Sequence, residues 1–191
     1  TDYFRPTTPP PGLAARVGRL RPAERASLPT LVERFRIEAT DRGVARIELR
    51  RAPGPPAREV GHAGRAREEL REYLAGQRTF FSVPVDLSGL PAFQTRVLRE
   101  AGRIPFGEVA SYAALARRIG HPRAARAVGN ALGANPVPLI VPCHRIIRGD
   151  GTWGHYAFGG EWKTRLLTLE RTTPVLVGCE TTRIVCRRGC A

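Results

Sequence analysis

The sequence predicts an α+β (α/β) protein, with a small strand-hairpin and helix subdomain followed by a helical one that carries a helix-turn-helix and an extended proline-rich segment. Alternating apolar and polar residues flank Asp41-Arg42-Gly43, a pattern typical of two strands joined by a tight turn. Two helix-forming stretches flank Gly120-His121-Pro122, as in a helix-turn-helix. Pro136, Pro138 and Pro142 exclude a helix and predict an extended path there.

The composition indicates a globular protein with a polyanionic partner. The 191 residues carry a net charge of +14, which fits nucleic acid better than an anionic membrane, although a basic surface without a specific partner stays the alternative. No apolar run approaches the ~18 residues of a spanning helix, and nothing resembles a signal peptide. One cysteine followed by three near the end is not a disulfide framework. We therefore predict a reduced, cytoplasmic protein.

The first half is predicted to form the smaller subdomain. Its start is rich in proline and arginine and is expected to be flexible. After the hairpin, apolar spacing predicts a helix over 65–77 that includes Tyr73, and Phe80 to Val85 predicts a short strand. The predicted units are 1–30 (flexible segment), 31–87 (amino-terminal subdomain), 88–172 (carboxy-terminal subdomain) and 173–191 (cysteine-containing tail).

The second half is predicted to be helical on both sides of the proline-rich segment. A helix over 91–101 has Pro91 in its first turn, where proline is tolerated. Ser111 is the expected cap of the helix that follows it, and 123–132 is the second helix of the helix-turn-helix. The stretch 162–169 again has helical periodicity.

Cys143 is the candidate nucleophile. It is the only cysteine in the first 178 residues, and it lies in the run Val141-Pro142-Cys143-His144-Arg145. A thiolate is the reactive form of cysteine, and a neighbouring base or cation helps to populate it. The alternative from these residues alone is a small buried side chain beside a solvent-facing histidine.

Five motifs lie between Ser111 and Glu170: Pro142-Cys143-His144-Arg145, Asn135-Pro136-Val137-Pro138, Ala125-Arg126-Ala127-Val128-Gly129, Ser111-Tyr112, and a Leu-Leu-x-x-Glu that ends at Glu170. With these motifs, the stretch from Ile104 to Glu170 resembles the O6-alkylguanine-DNA alkyltransferases. The resemblance implies a DNA repair protein that flips a damaged guanine out of duplex DNA and moves the alkyl group from O6 to its own cysteine, once per molecule. O4-alkylthymine is a second expected substrate, and no cofactor is required.

The resemblance also implies a role for each catalytic residue. Cys143 would be the nucleophile, and His144 would take its proton through a water molecule while Glu170 holds the imidazole. Asn135 would brace the turn that carries the cysteine. Tyr112 would push on the phosphate of the flipped nucleotide and help to protonate the departing guanine at N3.

DNA contacts and a base pocket follow from the same resemblance. Arg126 would fill the space of the flipped base, on a helix that enters the minor groove. The other expected DNA-binding residues are Ser111, Tyr112, Arg123, Ala127 and Arg145. The expected lining of the substrate pocket is Pro138, Ile146, Tyr156, Ala157, Phe158 and Lys163.

Phe158 departs from the pattern of several relatives, which have a glycine pair directly after Tyr-Ser or Tyr-Ala. Here Phe158 precedes Gly159-Gly160, so that the pair is shifted by one residue. A bulky ring in this loop is expected to narrow the pocket. We therefore predict that methyl groups are accepted readily and benzyl-sized groups less well.

The carboxyl end contains Thr181-Thr182-x-Ile184, followed by the pair Cys186 and Cys190. These elements resemble the opening of the zinc-binding, methyl-phosphotriester-accepting domain of the adaptive-response protein Ada. Four thiolates hold zinc in that domain, but here the second pair is missing, and Cys179 is not at a ligand position. A vestigial tail, a truncated sequence, and a site completed by another molecule remain open, so zinc at Cys186 and Cys190 is the alternative to no cofactor.

Three other functions remain to be distinguished from the transferase. A non-catalytic sensor of alkylated bases would have lost the reactive cysteine, whereas Cys143 is present. A methylation-responsive transcriptional regulator is kept open by the Ada-like tail and would bind DNA with high sequence specificity. A cysteine hydrolase is a more distant alternative. The expected partner of the transferase is double-stranded DNA with alkylated bases, no membrane is expected, and the protein is expected to be a monomer.

Overall fold

The computed structural model describes residues 20–54 and 60–171 in full, and the backbone of Thr172, 176–178 and 185–187. The first half contains α1 (Pro22–Ser27), a 3₁₀ helix (Leu28–Arg34), β1 (Phe35–Thr40), β2 (Gly43–Leu49) and α2 (Gly61–Leu74). The second half contains α3 (Ala92–Gly102), β3 (Ala110–Ser111), α4 (Tyr112–Arg118), α5 (Ala125–Gly133), a 3₁₀ turn (Cys143–Arg145), β4 (Ile146–Ile147) and α6 (Gly160–Thr172). The strands β5 (Leu176–Gly178) and β6 (Val185–Arg187) follow as an antiparallel pair. The predicted α+β class is confirmed.

The predicted hairpin is present as β1 and β2. The strands are antiparallel, with Ile37 opposite Ile47 and a bulge between Glu38 and Ala39. At the turn, a Cβ on Gly43 would overlap the carbonyl group of Pro84, and the φ angle of this glycine is 143°. Gly43 is therefore required by the close approach of two backbones, which other residues could not make at this φ.

The strand predicted over Phe80 to Val85 is wrong except for one bridge between Val44 and Val85. The reason lies in its backbone donors. The N–H groups of Ser82 and Val83 both donate to the carboxylate of the buried Glu69, and Pro84 has no N–H. Because these donors are taken or missing, the segment cannot pair as a regular strand, and the hairpin remains a two-stranded sheet.

The flexible segment predicted over 1–30 is ordered in its last part. Residues 22–27 form α1, in which the side chains of Arg21 and Glu24 are hydrogen-bonded to each other, and Leu28 is buried. Residues 1–19 lie outside the described residues, so the prediction there is untested.

The helix-turn-helix is formed by α4 and α5. The Ser111 side chain accepts a hydrogen bond from the backbone of Ala114 at 3.1 Å, as predicted for a cap. Gly120 follows α4 with a φ angle of 81°, and α5 begins only at Ala125, after Pro122. The backbone of Ala124 donates to the carbonyl of His121 at 2.9 Å, so residues 121–124 form a turn and the connection is longer than predicted.

The described residues share one main core that joins the two halves. Residues from the hairpin, α2, α3, α5 and the proline-rich segment belong to it, among them Val44, Leu70, Leu98, Val128 and Leu139, all fully buried. This packing fixes α2 of the first half against the segment that carries Cys143. No helix among the described residues is long and apolar enough to cross a membrane.

Candidate active site

Cys143 is held at the end of an extended segment that turns sharply. The segment contains Leu139, whose φ angle of 74° lies in the left-handed region, and the backbone of Val141 donates to Val137 at 3.0 Å. The chain then makes one 3₁₀ turn from Cys143, and Ile146–Ile147 pairs in parallel with Ala110–Ser111. The position of the cysteine is thus fixed by strained backbone on one side and strand pairing on the other.

Asn135 holds the thiol. Its amide Nδ2 donates to Sγ of Cys143 at 3.2 Å and to the carbonyl of Val141 at 3.0 Å, while its Oδ1 accepts from the backbone of Val137 at 3.0 Å. Cys143 is 5% exposed, and burial raises the pKa of its thiol although Asn135 and Lys163 oppose this. The bracing predicted for Asn135 is therefore seen in its hydrogen bonds, and the buried thiol keeps its proton.

His144 and Glu170 form a buried pair. Nε2 of His144 lies 2.8 Å from Oε1 of Glu170, and both side chains are inaccessible to solvent. Burial lowers the pKa of the imidazole despite the neighbouring carboxylate, so His144 is neutral near pH 7. Among the described residues, Nδ1 of His144 has no hydrogen-bond partner, although it is buried. One nitrogen is thus anchored and the other is available to accept a proton.

Glu170 is the centre of a larger hydrogen-bond network. Arg145 donates to both of its oxygens, from Nε at 3.0 and 3.1 Å and from Nη2 at 2.9 Å. The backbone of Gly107 donates to Oε2 at 3.1 Å, and the hydroxyl of Tyr73 donates to Oε1 at 2.6 Å. Burial alone would raise the pKa of this carboxyl, but Arg145 and His144 outweigh it and hold the pKa well below its usual range.

The DNA-binding role predicted for Arg145 is wrong. Predicted among the DNA-binding residues, it is only 6% exposed and points inward. Besides Glu170, it binds the carbonyl of Ile104 through Nη1 at 2.5 Å. A buried guanidinium already paired with a carboxylate is not free to bind phosphate, so Arg145 is a partner of Glu170.

Lys163 is fully buried behind the cysteine. Its Nζ donates to the carbonyl of Ile146 at 2.5 Å. Burial lowers the pKa of its ammonium to about 8, although the nearby Cys143 favours the charged form. Ile146, also predicted in the substrate pocket, therefore contributes a carbonyl group that holds this lysine.

Replacement of Lys163 by methionine should change how stability depends on pH. In the unfolded chain a lysine has a pKa of ~10.4, so between pH 8 and that value the unfolded state binds more protons than the folded state. Stability of the native protein should therefore rise by up to about 3 kcal/mol relative to Lys163→Met over this interval. Urea unfolding of both proteins at pH 7.5 and pH 10 measures the difference, and parallel profiles would contradict it.

The loop predicted to cover the base pocket is fastened by aromatic rings. Tyr156 is buried, with its ring 6.2 Å from that of His144, and its hydroxyl has no hydrogen-bond partner among the described residues. Phe158 stacks on Phe35 at 5.7 Å and contacts Trp162 at 6.1 Å. The ring of Phe158 thus ties the loop to the hairpin of the first half.

If Phe158 narrows the pocket, it does so through Tyr156, because the two rings lie 5.7 Å apart. Of the other residues predicted to line the pocket, Ala157 is exposed, and Pro138 is buried and forms a bridge with Val141. The preference for methyl over benzyl groups stays a prediction, and comparing transfer rates for the two adducts tests it. Equal rates would contradict it.

The α5 helix presents an exposed face beside this site. Arg126 and Ala127 are exposed on it, Arg123 is exposed just before it, and Val128 and Leu132 pack into the core. A groove of about 900 Å³ runs between α5 and the loop before the aromatic rings. Its lining includes Tyr112, Arg126, Asn130, Arg148, Gly154 and His155.

Tyr112 connects the groove to the cysteine. Burial and then the nearby Cys143 raise the pKa of its phenol. A Cβ on Gly154 would overlap the Tyr112 hydroxyl, so a glycine is required there for the ring to reach its place. Tyr112 is among the residues predicted from the sequence, whereas Gly154 and Arg148 are not; a glycine directly after Trp153 is the one signal in the sequence for this contact.

Cys186 and Cys190 of the tail are the predicted zinc ligands. Cys190 lies outside the described residues, and for Cys186 only the backbone, in β6, is described. Within the part of the chain that the structure describes, no three potential ligands cluster. Zinc at these two cysteines stays a prediction.

Comparison with known proteins identifies the family. A family model described as the DNA-binding domain of 6-O-methylguanine DNA methyltransferase matches residues 92–172. The constitutive methylated-DNA–protein-cysteine methyltransferase of Bacillus subtilis is 42% identical over 115 residues, which are 60% of this chain and 69% of that protein. The chain belongs to the methylated-DNA–protein-cysteine methyltransferase family.

Other relatives agree with this assignment. The enzyme of the same name from Mycolicibacterium paratuberculosis is 48% identical over 104 residues, and the match spans 62% of its length. The crystal structure of Mycobacterium tuberculosis OGT in complex with DNA has a TM-score of 0.65 and 36% identity, with 73% of this chain and 87% of that chain covered. The family resemblance predicted from the sequence is confirmed.

Proposed function

We propose that this protein repairs alkylated duplex DNA by moving an alkyl group from O6 of guanine to Sγ of Cys143. The observation that carries the proposal is the buried thiol beside His144, whose Nε2 is bound to Glu170 while Nδ1 has no partner among the described residues. O4-alkylthymine, in which the alkyl group is bound to oxygen in the same way, is a second expected substrate.

The transfer is a displacement at the alkyl carbon. The thiol proton passes to Nδ1 of His144 through a water molecule, and the imidazolium is stabilised by Glu170. The sulfur then bonds to the alkyl carbon as the carbon–O6 bond breaks and its electron pair stays with the base. Tyr112 gives guanine a proton at N3 and regains one from His144 through solvent. The product is a thioether with no thiol to regenerate, so each molecule reacts once.

The protonated state of Cys143 explains why a base is needed. Burial raises the pKa of the thiol, so the free protein holds little thiolate. Neutral His144 can accept the proton, whereas Lys163 stays close enough to favour the thiolate once it forms. The site is thus unreactive until substrate and base act together.

The exposed face of α5 is the proposed DNA-binding surface. O6 of guanine is enclosed in the base stack, so the nucleotide must leave the duplex to reach a buried cysteine. Arg126 is exposed on the rim of the groove that also contains Tyr112, and it would fill the space left by the base. Binding should weaken steeply with salt, because phosphate contacts release counterions.

Intact-protein mass spectrometry tests the proposed function. After mixing with duplex DNA that contains O6-methylguanine, the protein should gain one methyl group on Cys143, and added substrate beyond one equivalent should not react. Cys143→Ala should bind the same duplex and gain nothing. Tight binding without any mass gain by the native protein would instead make it a lesion sensor.

We also propose that the protein is a monomer and acts in the cytoplasm, where Cys143 would stay reduced. The transfer needs no cofactor in this proposal. The boundaries 31–87 and 88–172 are kept as proposed subdomains. The contacts of Cys143, His144 and Glu170 support alkyl transfer over the alternative of a methylation-responsive transcriptional regulator.

A further inference from the structure

Tyr73 reaches the active site from the first half of the chain. It lies on α2, is fully buried, and packs against Phe81 at 5.2 Å and edge-on to Phe106 at 5.9 Å. Its hydroxyl donates to Oε1 of Glu170 at 2.6 Å and also lies 3.3 Å from Nε2 of His144. This buried phenol neither gives nor takes a proton in the proposed alkyl transfer.

The single proton of the phenol is committed to Glu170. Burial and then the charge of Glu170 raise the pKa of Tyr73 well above 10, so the hydroxyl does not ionise. A hydrogen bond to a carboxylate at this distance is among the stronger ones in proteins. The phenol oxygen can therefore only accept a hydrogen bond from His144.

Two acceptors consequently face the same nitrogen of His144. Oε1 of Glu170 lies 2.8 Å from Nε2, and the Tyr73 oxygen lies 3.3 Å from it. A proton on Nε2 satisfies both, whereas a lone pair on Nε2 would face two oxygens with no proton between them. In a neutral imidazole, a proton on Nε2 leaves the lone pair on Nδ1, which is the nitrogen that the transfer requires as a base.

We propose that Tyr73 is a positioning residue that orients the Glu170 carboxylate and, together with it, fixes His144 in the Nε2–H form. The first half of the chain thereby contributes a hydroxyl group that affects the reactivity of Cys143. Tyr73 precedes His144 by 71 residues and Glu170 by 97 residues in the sequence. The effect on the transfer rate rests on the proposed function, while the effect on the imidazole does not.

Tyr73→Phe tests this proposal because it removes the hydroxyl and keeps the ring. We expect alkyl transfer to become roughly ten-fold slower, in line with the loss of one hydrogen bond to a charged group. Without Tyr73 to orient it, Glu170 should stabilise the imidazolium less, so the acid limb of the pH–rate profile should move to lower pH. Nitrogen-15 NMR should show Nε2–H for His144 in the native protein and a mixture of the two neutral forms in the variant.

Ser82→Ala is the matched control. The Ser82 hydroxyl donates to the buried carboxylate of Glu69, which lies on α2 four residues before Tyr73. The control therefore also removes a hydrogen bond between a hydroxyl and a carboxylate of α2. The described partners of the Ser82 hydroxyl are Glu69 and Arg65, and neither His144 nor Glu170 is among them. Its transfer rate, pH profile and His144 spectrum should remain native, even if its stability falls as much as that of Tyr73→Phe.

The proposal is overturned if Tyr73→Phe keeps the native rate, pH profile and Nε2–H signal, or if Ser82→Ala slows transfer equally. A native spectrum with the proton on Nδ1 overturns it without any variant. If the native protein transfers no alkyl group, the proposed function fails, and the His144 spectra still decide whether Tyr73 fixes the imidazole. Four histidines in the chain keep these spectra simple to assign.

Discussion

Glu170→Gln should lower the free energy of unfolding by about 3–5 kcal/mol, since breaking a buried ion pair leaves an uncompensated charge. The carboxylate accepts hydrogen bonds from Arg145, Tyr73, His144 and the backbone of Gly107, all in the interior. A neutral amide offers one oxygen in place of two and brings an NH₂ group among donors. Alkyl transfer should fall with stability, because His144 loses the acceptor on Nε2.

Chemical denaturation at pH 7 measures the loss, with Glu161→Gln as the control on the same helix. Glu161 forms an exposed pair with Arg165 at 2.5 Å, and pairs of this kind contribute only about 0.3–0.5 kcal/mol. Losses of equal size for the two variants would show that Glu170 is not the structural centre described here.

The same carboxylate should make the protein sensitive to acid. The pKa of Glu170 in the folded state lies well below its unfolded value of ~4.3, so the stability it contributes is complete above that value. As pH falls below this value, the unfolded state takes up a proton first, and the contribution declines until the folded pKa is reached. Stability of Glu170→Gln should therefore depend less on pH below 4 than that of the native protein.

Arg126→Ala should slow alkyl transfer in duplex DNA by about 100-fold while changing transfer from single strands much less. In a duplex, an arginine that enters the stack compensates part of the cost of flipping a base, which is a few kcal/mol. In a single strand no partner base is left behind, so the arginine has little to replace. Single-turnover kinetics with the same lesion in both forms of DNA measure the two rates.

Arg96→Ala provides the control for loss of charge. Arg96 is exposed on α3, does not line the groove beside α5, and its replacement also removes one positive charge. This variant should reduce transfer from both forms of DNA only slightly. Equal losses in duplex and single strands for Arg126→Ala would show that the residue binds phosphate without filling the stack.

The sequence was informative where neighbouring residues determine the structure. The hairpin, the Ser111 cap and the helix-turn-helix all follow from spacing or from one residue in a turn, and all are present. The strand predicted over Phe80 to Val85 is wrong because the carboxylate of Glu69, on α2, accepts hydrogen bonds from two backbone N–H groups of this segment. Local patterns do not register such competition, since the competing group is distant in sequence.

The order of the amino acids places the reactive groups along the chain: a cysteine beside a histidine, an asparagine before the proline-rich segment, and an arginine on the second helix of the helix-turn-helix. The direction that each of these groups faces is set by the packing of distant elements. Arg145 turns inward because Glu170 offers it a buried carboxylate, and Tyr73 becomes part of the site because the shared core places α2 beside it. The partners of a buried charge come from distant elements, so packing of the two halves fixes them.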